Sequence, residues 1–150
     1  MIRQLSKDEK IPYDLLLLAD ETVEAIDKYI FGCDIYVLEK HNNIAGVYAL
    51  RATNSDEIEI EIIAVAKEYQ GQGIGRKLLR DAAVRAKGKG FKTILIGTWD
   101  GATKQLCLYK KEGFEVFGIR KNYFVDNYPE PIYENGTQLK DMVMLKKELK

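Results

Sequence analysis

From Glu57 to Ala86 the chain changes hydrophobic period once, and it does so across a cluster of glycines. Glu57-Ile-Glu-Ile-Glu-Ile-Ile-Ala-Val-Ala starts as strict alternation and ends apolar, the pattern of a strand entering a covered core. Gln70-Gly-Gln-Gly-Ile-Gly75 follows. Ile74, Leu78, Leu79, Ala82, Ala83 and Ala86 then recur at helical spacing, and Gly88 and Gly90 end the run. A strand, a glycine turn and a helix in that order place the helix's first amides at the end of the strand. Glycine lets a ligand approach those amides closely, and the helix dipole makes them attractive to an anion. Phosphate is the usual anion for such a site.

The rest of the chain fits one mixed α/β domain, expected to span 1–150. Ile2 to Leu5 reads as a short strand, and Pro12 suits a helix start. Asp20 is the expected N-cap between two short helices carrying Leu15, Leu16, Leu18, Val23, Ile26 and Ile30. Asp34–Glu39 and Ile44–Arg51, separated by His41-Asn-Asn, read as a hairpin. Thr93–Gly97 is a short buried strand. Thr103–Glu112 is a helix with Leu106 and Tyr109 inward, stopped by Gly113. Phe114–Val125 and Leu139–Leu145 read as two final strands. The expected order is β-α-α-β-β-β-α-β-α-β-β, a mixed sheet with helices on its faces.

Composition narrows the function classes. Lys+Arg and Asp+Glu are both 23, so the chain lacks the basic excess of a nucleic-acid binder. Hydrophobic residues make up 46%, which excludes a disordered chain. No apolar run approaches a membrane span of about 20 residues, and the charged N-terminus has no apolar signal core. Cys33 and Cys107 form no CxxC pair, so both are expected to be reduced core thiols in a cytoplasmic protein. His41 stands in an Asn-rich turn without partner ligands, and no His/Cys cluster implies a metal.

Two phosphate motifs fail at the glycine loop. GxxxxGK[ST] does not occur, and GxGxxG started at Gly71 meets Arg76 where its third glycine belongs. The pattern Q/R-x-x-G-x-G/A does fit, as Gln70-Gly71-Gln72-Gly73-Ile74-Gly75. Together with the strand ending Ile63-Ala64-Val65 and the later Leu108-Tyr109-Lys-Lys-Glu-Gly113-Phe114, this loop resembles the GCN5-related N-acetyltransferases (GNATs). The resemblance covers nearly the whole chain.

That resemblance implies an acyl-CoA N-acyltransferase fold in which the fourth and fifth strands splay apart to admit acetyl-CoA. It also implies that Gln70, Gly71, Gln72, Gly73, Ile74 and Gly75, with Arg76 beside them, hold the coenzyme A pyrophosphate. The strand backbone at Ile63, Ala64 and Val65 would pair with the pantetheine amides. Many family members have Asn seven residues before the tyrosine. Here that position is Ala102, and Asp100 is the neighbouring group that would cap the helix or meet the pantetheine arm.

Acetyl transfer to an amine needs a neutral amine, stabilisation of a developing oxyanion and a donor near the departing thiolate. An alkylammonium loses its proton near pH ~10.4, so a base must help at neutral pH. Glu57, Glu59 and Glu61 share one face of an alternating strand, which also describes a solvated strand face. Family spacing puts the catalytic Glu eleven residues before the loop's first Gln/Arg, which is Glu59, with Glu61 second and Glu57 third. Tyr109 matches the family tyrosine thought to meet the coenzyme A sulfur. A phenol near pKa ~10 is a weaker acid than a thiol near ~8.5, so a hydrogen bond is the expected role.

On the acceptor side, Tyr123, Tyr128 and Tyr133 lie in a long aromatic and acidic loop that is either a pocket wall or a packed turn. The expected enzyme moves acetyl directly to a primary amine of a small molecule or peptide. The alternatives are a non-catalytic acyl-CoA sensor or scaffold and, more weakly, a nucleotide-binding regulator using the same loop. Neither nucleic acid nor membrane is an expected partner. A homodimer is allowed, dimers being frequent in that family. Charge distribution fits the division of labour. Lys67–Lys92 holds eight basic and two acidic residues, a surplus of six, while acids gather in 20–27, 56–61 and 126–134.

Overall fold

His41 and Asn42 both take positive φ, at 51° and 66°. Two consecutive left-handed residues are what a two-residue hairpin turn requires. They join β2 (Asp34–Lys40) to β3 (Asn43–Ala52). β1 (Ile2–Gln4) pairs antiparallel with β2, and β4 (Glu57–Val65) pairs antiparallel with β3. The turn before β4 is tied by Asn54, whose side-chain oxygen accepts from the backbone of Asp56 and Glu57.

The computed structural model describes residues 1–150. It contains two compact units, residues 1–94 with 149–150, and residues 95–148. No helix is long and apolar enough to cross a membrane.

In the first unit, successive β3 residues face opposite sides. Val47 and Ala49, with Ile35, Val37, Ile62 and Ala64, form a buried cluster with Leu15, Leu16 and Ile26. Those three belong to α1 (Tyr13–Leu16) and α2 (Val23–Asp27). Pro12 does precede α1, but the cap of α2 is Thr22, not Asp20. The Thr22 hydroxyl accepts from Ala25 N at 3.1 Å. Asp20 instead accepts from Glu21 N and from the Tyr29 hydroxyl.

The other face of β3 meets α3 (Ile74–Gly88). Its stripe is as read, except that Ala83 is half-buried. Gly46 makes the close approach possible. A Cβ there would stand 3.0 Å from Ile74 Cγ2 and 3.0 Å from Leu78 Cδ1. Tyr48, fully buried, donates its hydroxyl to Asp81 Oδ2 at 2.6 Å. Arg85 donates to the same carboxylate oxygen at 2.7 Å and lies 4.6 Å above the Tyr36 ring. The buried Tyr48 hydroxyl is therefore satisfied by a charged partner.

β5 (Thr93–Trp99) begins in the first unit, where Lys92 N and Thr93 N both donate to Asp56 O. In the second unit it is followed by α4 (Thr103–Lys111), β6 (Glu115–Arg120), α5 (Tyr123–Asp126), β7 (Tyr133–Glu134), β8 (Thr137–Gln138) and β9 (Met142–Glu148). Its strand order is β5-β9-β6, with β6 antiparallel to β9. The expected element order holds, with α5, β7 and β8 added.

Two strand readings change. The run from Phe114 to Val125 stops at Arg120, because Asn122 turns left-handed (φ 56°) and α5 begins. The last strand starts at Met142 rather than Leu139. Leu106 is only half-buried, leaving Tyr109 as the buried residue of α4. The cysteines are free as expected, but Cys107 is exposed and Cys33 half-buried, so neither is a core thiol.

Gly46→Val is expected to destabilise the protein by about 1–3 kcal/mol, because a packed helix must shift to admit it. Gly88→Ala meets open space inside a helix and should leave the urea midpoint unchanged or raise it slightly.

Candidate active site

β4 does not keep one period. Tyr48 pairs with Ile63 and Ala49 with Ile62, then Leu50 pairs with Ile60 and Arg51 with Glu59. Glu61 is thus an extra residue on β4, a bulge. A bulge exchanges the faces of all residues beyond it. Glu59 shares the face of Arg51, Ala49 and Val47, and so lies on the same side as Ile62 and Ala64. Ile63 and Val65 share the α3 side with Ile58 and Ile60.

The acidic residues therefore stand on the side covered by α1 and α2. Glu59 is only 8% exposed. Glu61 Oε2 lies 3.3 Å from Arg51 Nη2. Arg51 Cδ is 3.7 Å from where a Cβ of Gly32 would be, so its stem runs over that glycine. Cys33 adjoins the same group and its thiol donates to Tyr29 O. Burial first, and then the charge of Glu61, push that thiol up to about 12, with Arg51 opposing. It stays protonated at neutral pH and is a poor nucleophile. Glu57 lies at the turn, where its carboxylate accepts from the Asn54 side chain at 3.3 Å.

Arg51 is the residue that sequence reasoning passed over. Its signal was the turn: Thr53 N donates to Glu57 O, and counting outward from that pair sets Arg51 opposite Glu59.

At the other end of β4, Gly71 and Gly73 take φ of 80° and 79°. A Cβ at either would meet nothing within 4 Å, so the loop faces open space. Gly73 is the N-cap of α3, and no side chain caps that end. The first amides of a 15-residue helix are thus presented with Arg76, Lys77 and Arg80 exposed beside them. This donor set fits a pyrophosphate: oriented N–H groups, a positive dipole end and cations at its rim. Gln70 has a local task, its side chain donating to Val65 O at 3.0 Å and tying the loop to the strand.

Basic residues further along the segment are engaged within the unit. Arg85 binds Asp81, Lys89 binds Asp34, Lys92 approaches Asp56 at 3.9 Å, and Lys87 donates to the Lys150 carbonyl. At the loop end, Arg76, Lys77 and Arg80 place exposed positive charge beside the first amides of α3.

In the second unit, Tyr109 is buried on α4 with its ring 6.2 Å from that of Phe114. Burial raises its phenol to about 12. Asp100 is exposed and does not cap α4, whose N-cap is Ala102 with no side-chain bond. Trp99 lies over Gly101, where any Cβ would collide with its ring. Tyr123 and Tyr128 gather about Phe124, at ring distances of 5.1 Å and 6.1 Å. Tyr133 stands apart in the β7–β8 hairpin and is 62% exposed.

Residues 31–116 match the family model described as an acetyltransferase (GNAT) domain. A Bacillus subtilis (strain 168) protein described as an uncharacterized N-acetyltransferase, YvbK, is 42% identical over 133 residues, covering 89% of this chain and 86% of that protein. A GNAT family acetyltransferase from Elizabethkingia anophelis, crystallised with acetyl-CoA bound, superposes with a TM-score of 0.96 at 47% identity, covering 99% of this chain and 97% of the other. A Bacillus subtilis acetyltransferase in complex with CoA gives 0.91 at 39% identity, covering 99% and 98%. By its family model, its sequence relatives and its fold, this chain belongs to the GNAT family of acetyltransferases.

Proposed function

We propose that the protein transfers acetyl directly from acetyl-CoA to a primary amine of a small molecule or peptide, with both bound at once. The observation that carries this reading is the construction of β4. A buried carboxylate sits toward one end, and beyond the other end a short 3-10 turn at Lys67–Tyr69 leads into the glycine loop before α3. Glu59 and Val65 are six residues apart, about 20 Å of extended chain. The backbone of Ile63, Ala64 and Val65 offers strand hydrogen bonds between them.

Acetyl-CoA, when bound, supplies an activated thioester carbonyl. The amides of Gly71–Gly75, with Arg76 beside them, hold its phosphates. Glu59 takes the proton of the acceptor ammonium, directly or through one water, and so presents a neutral amine. Glu59 holds the family-spaced position and is the buried one of the two carboxylates, while Glu61 stands closer to solvent beside Arg51. Tyr109 donates a hydrogen bond to the sulfur and keeps its own proton. With its phenol raised to about 12, full transfer to a thiolate near ~8.5 runs uphill. The thiol beside the acids, Cys33, is held protonated, which favours direct transfer over an acetyl-cysteine route. Asp100, Tyr123, Tyr128 and Tyr133 are assigned by family spacing and loop composition to the coenzyme and acceptor sides.

Three outcomes follow for purified protein assayed by thiol release with a panel of small amines and a peptide with a free N-terminus. Glu59→Gln should lower kcat by about 10²–10⁴-fold while leaving acetyl-CoA binding near normal, and initial rates should give intersecting patterns. Acetyl-CoA binding without turnover on any acceptor would favour a sensor module instead. Coenzyme affinity should fall as salt rises, and Arg76→Ala should flatten that dependence. Because the Tyr109 phenol is raised on folding, its contribution to stability is full below about pH 10 and is lost as pH rises toward about 12. Urea melts of Tyr109→Phe should therefore lose less stability across that interval than the parent.

A further inference from the structure

Two arginines of the first unit brace the fold. Arg3 donates to Glu39 at 2.6 Å and to Glu9 at 2.8 Å. Arg85 donates to Asp81 at 2.7 Å and to the Ile2 carbonyl at 2.9 Å. Each uses two edges of its guanidinium at the lengths of charge-assisted hydrogen bonds. Arg51 differs. Its Nη2 lies 3.3 Å from Glu61 Oε2, and 46% of its side chain is exposed. A guanidinium carries five N–H donors in a planar fork that matches a carboxylate. One long contact leaves most of that fork open to a ligand.

The strand register fixes where the fork stands. Arg51 on β3 lies directly opposite Glu59 on β4. Opposite residues of an antiparallel pair share a face, with Cβ atoms about 5 Å apart. Glu59 is buried there, while Arg51 reaches solvent. The charged groups of this face are Glu59, Glu61 and Arg51. Cys33 beside them keeps its proton and adds no charge. Asp34, next in the chain, is bound by Lys89 at 2.9 Å. The face therefore offers an acid suited to an ammonium and, one side chain away, a guanidinium suited to an anion. A molecule with an ammonium and a carboxylate a few bonds apart meets both. A polyamine instead brings a second cation beside Arg51, and that repulsion selects against it.

We propose that Arg51 sets acceptor specificity: its guanidinium pairs with a carboxylate carried by the acceptor within a few bonds of the reacting amine, so that the substrates are small amino carboxylates rather than plain amines, polyamines or peptide N-termini. This rests on the reading that Glu59 receives the acceptor amine. No bond forms or breaks at Arg51. It orients the acceptor, and the acetyl group and proton move as already described.

The test is thiol release from acetyl-CoA with matched acceptors: free L-amino acids, their carboxamides, the corresponding decarboxylated amines, and a diamine. The parent protein should prefer the amino acid over its carboxamide and its decarboxylated amine by about 10- to 100-fold in kcat/KM, the worth of a hydrogen-bonded charge pair. Arg51→Gln should cut kcat/KM for the amino acid by a similar factor, chiefly through KM, and bring its ratio to the decarboxylated amine toward one. Arg51→Lys should recover part of that ratio, since it keeps the charge and loses the fork. Retained acetyl-CoA binding by calorimetry shows that each variant is folded, and the parent's own preference tests the inference without any variant. A parent that acetylates the decarboxylated amine or the diamine as well as the amino acid overturns the inference and leaves N-acetyl transfer standing. So does an Arg51→Gln that slows all acceptors by the same factor, the result of a purely structural role. Turnover of no acceptor in the panel overturns the transfer reading and this inference together.

Discussion

The pairing of β4 against β3 is the constraint on which the first unit depends. β3 has a helix layer on each side, α1 and α2 on one and α3 on the other. β4 must match it residue for residue. A strict alternation along Glu57–Val65 would put Glu59, Glu61, Ile63 and Val65 on one face. The bulge at Glu61 breaks that pattern, so Ile62 and Ala64 fill the core beneath α1 and α2 while Glu59 stays on the same side. One extra residue thus reconciles a buried carboxylate with an apolar layer.

The carboxylates are tolerated there because they are not isolated. Burying an unpaired charge costs several kcal/mol, whereas a charge with a cation nearby loses much less. Arg51 supplies that cation to Glu61 from the neighbouring strand and keeps part of its guanidinium in solvent. At the far end of β4 the logic is reversed. The helix α3 leaves its first amides without a side-chain cap, with exposed cations beside them, and Arg85, Lys89 and Lys92 further along meet Asp81, Asp34 and Asp56. Sequence composition counts these cations equally; only their places on α3 distinguish those beside the glycine loop from those at its far end.

The elements legible in the sequence were those with a local cause. The His41-Asn42 turn, the Gly71/Gly73 loop, the α3 stripe and the Gly113 stop each follow from residue types that only a few backbone conformations suit. What escaped was set by neighbours distant in sequence. Asp20 is as good a cap as Thr22 on composition, but Tyr29 draws its carboxylate elsewhere. Asp100 is close to the start of α4 in sequence yet makes no cap. Cys107 resembles a core residue by type, but α4 buries only its Tyr109 side.

The sequence by itself determined the family-like loop, the order of strands and helices, and the presence of an acidic strand leading into a glycine turn. These are consequences of period, turn chemistry and spacing along one chain. Only the tertiary structure decided which face each glutamate occupies, that Arg51 pairs with Glu61, and that Val116 and Ile119 share one face of β6. Each of those outcomes depends on a bulge. A bulge arises where a strand must fit its partner's register, and a single strand does not encode it.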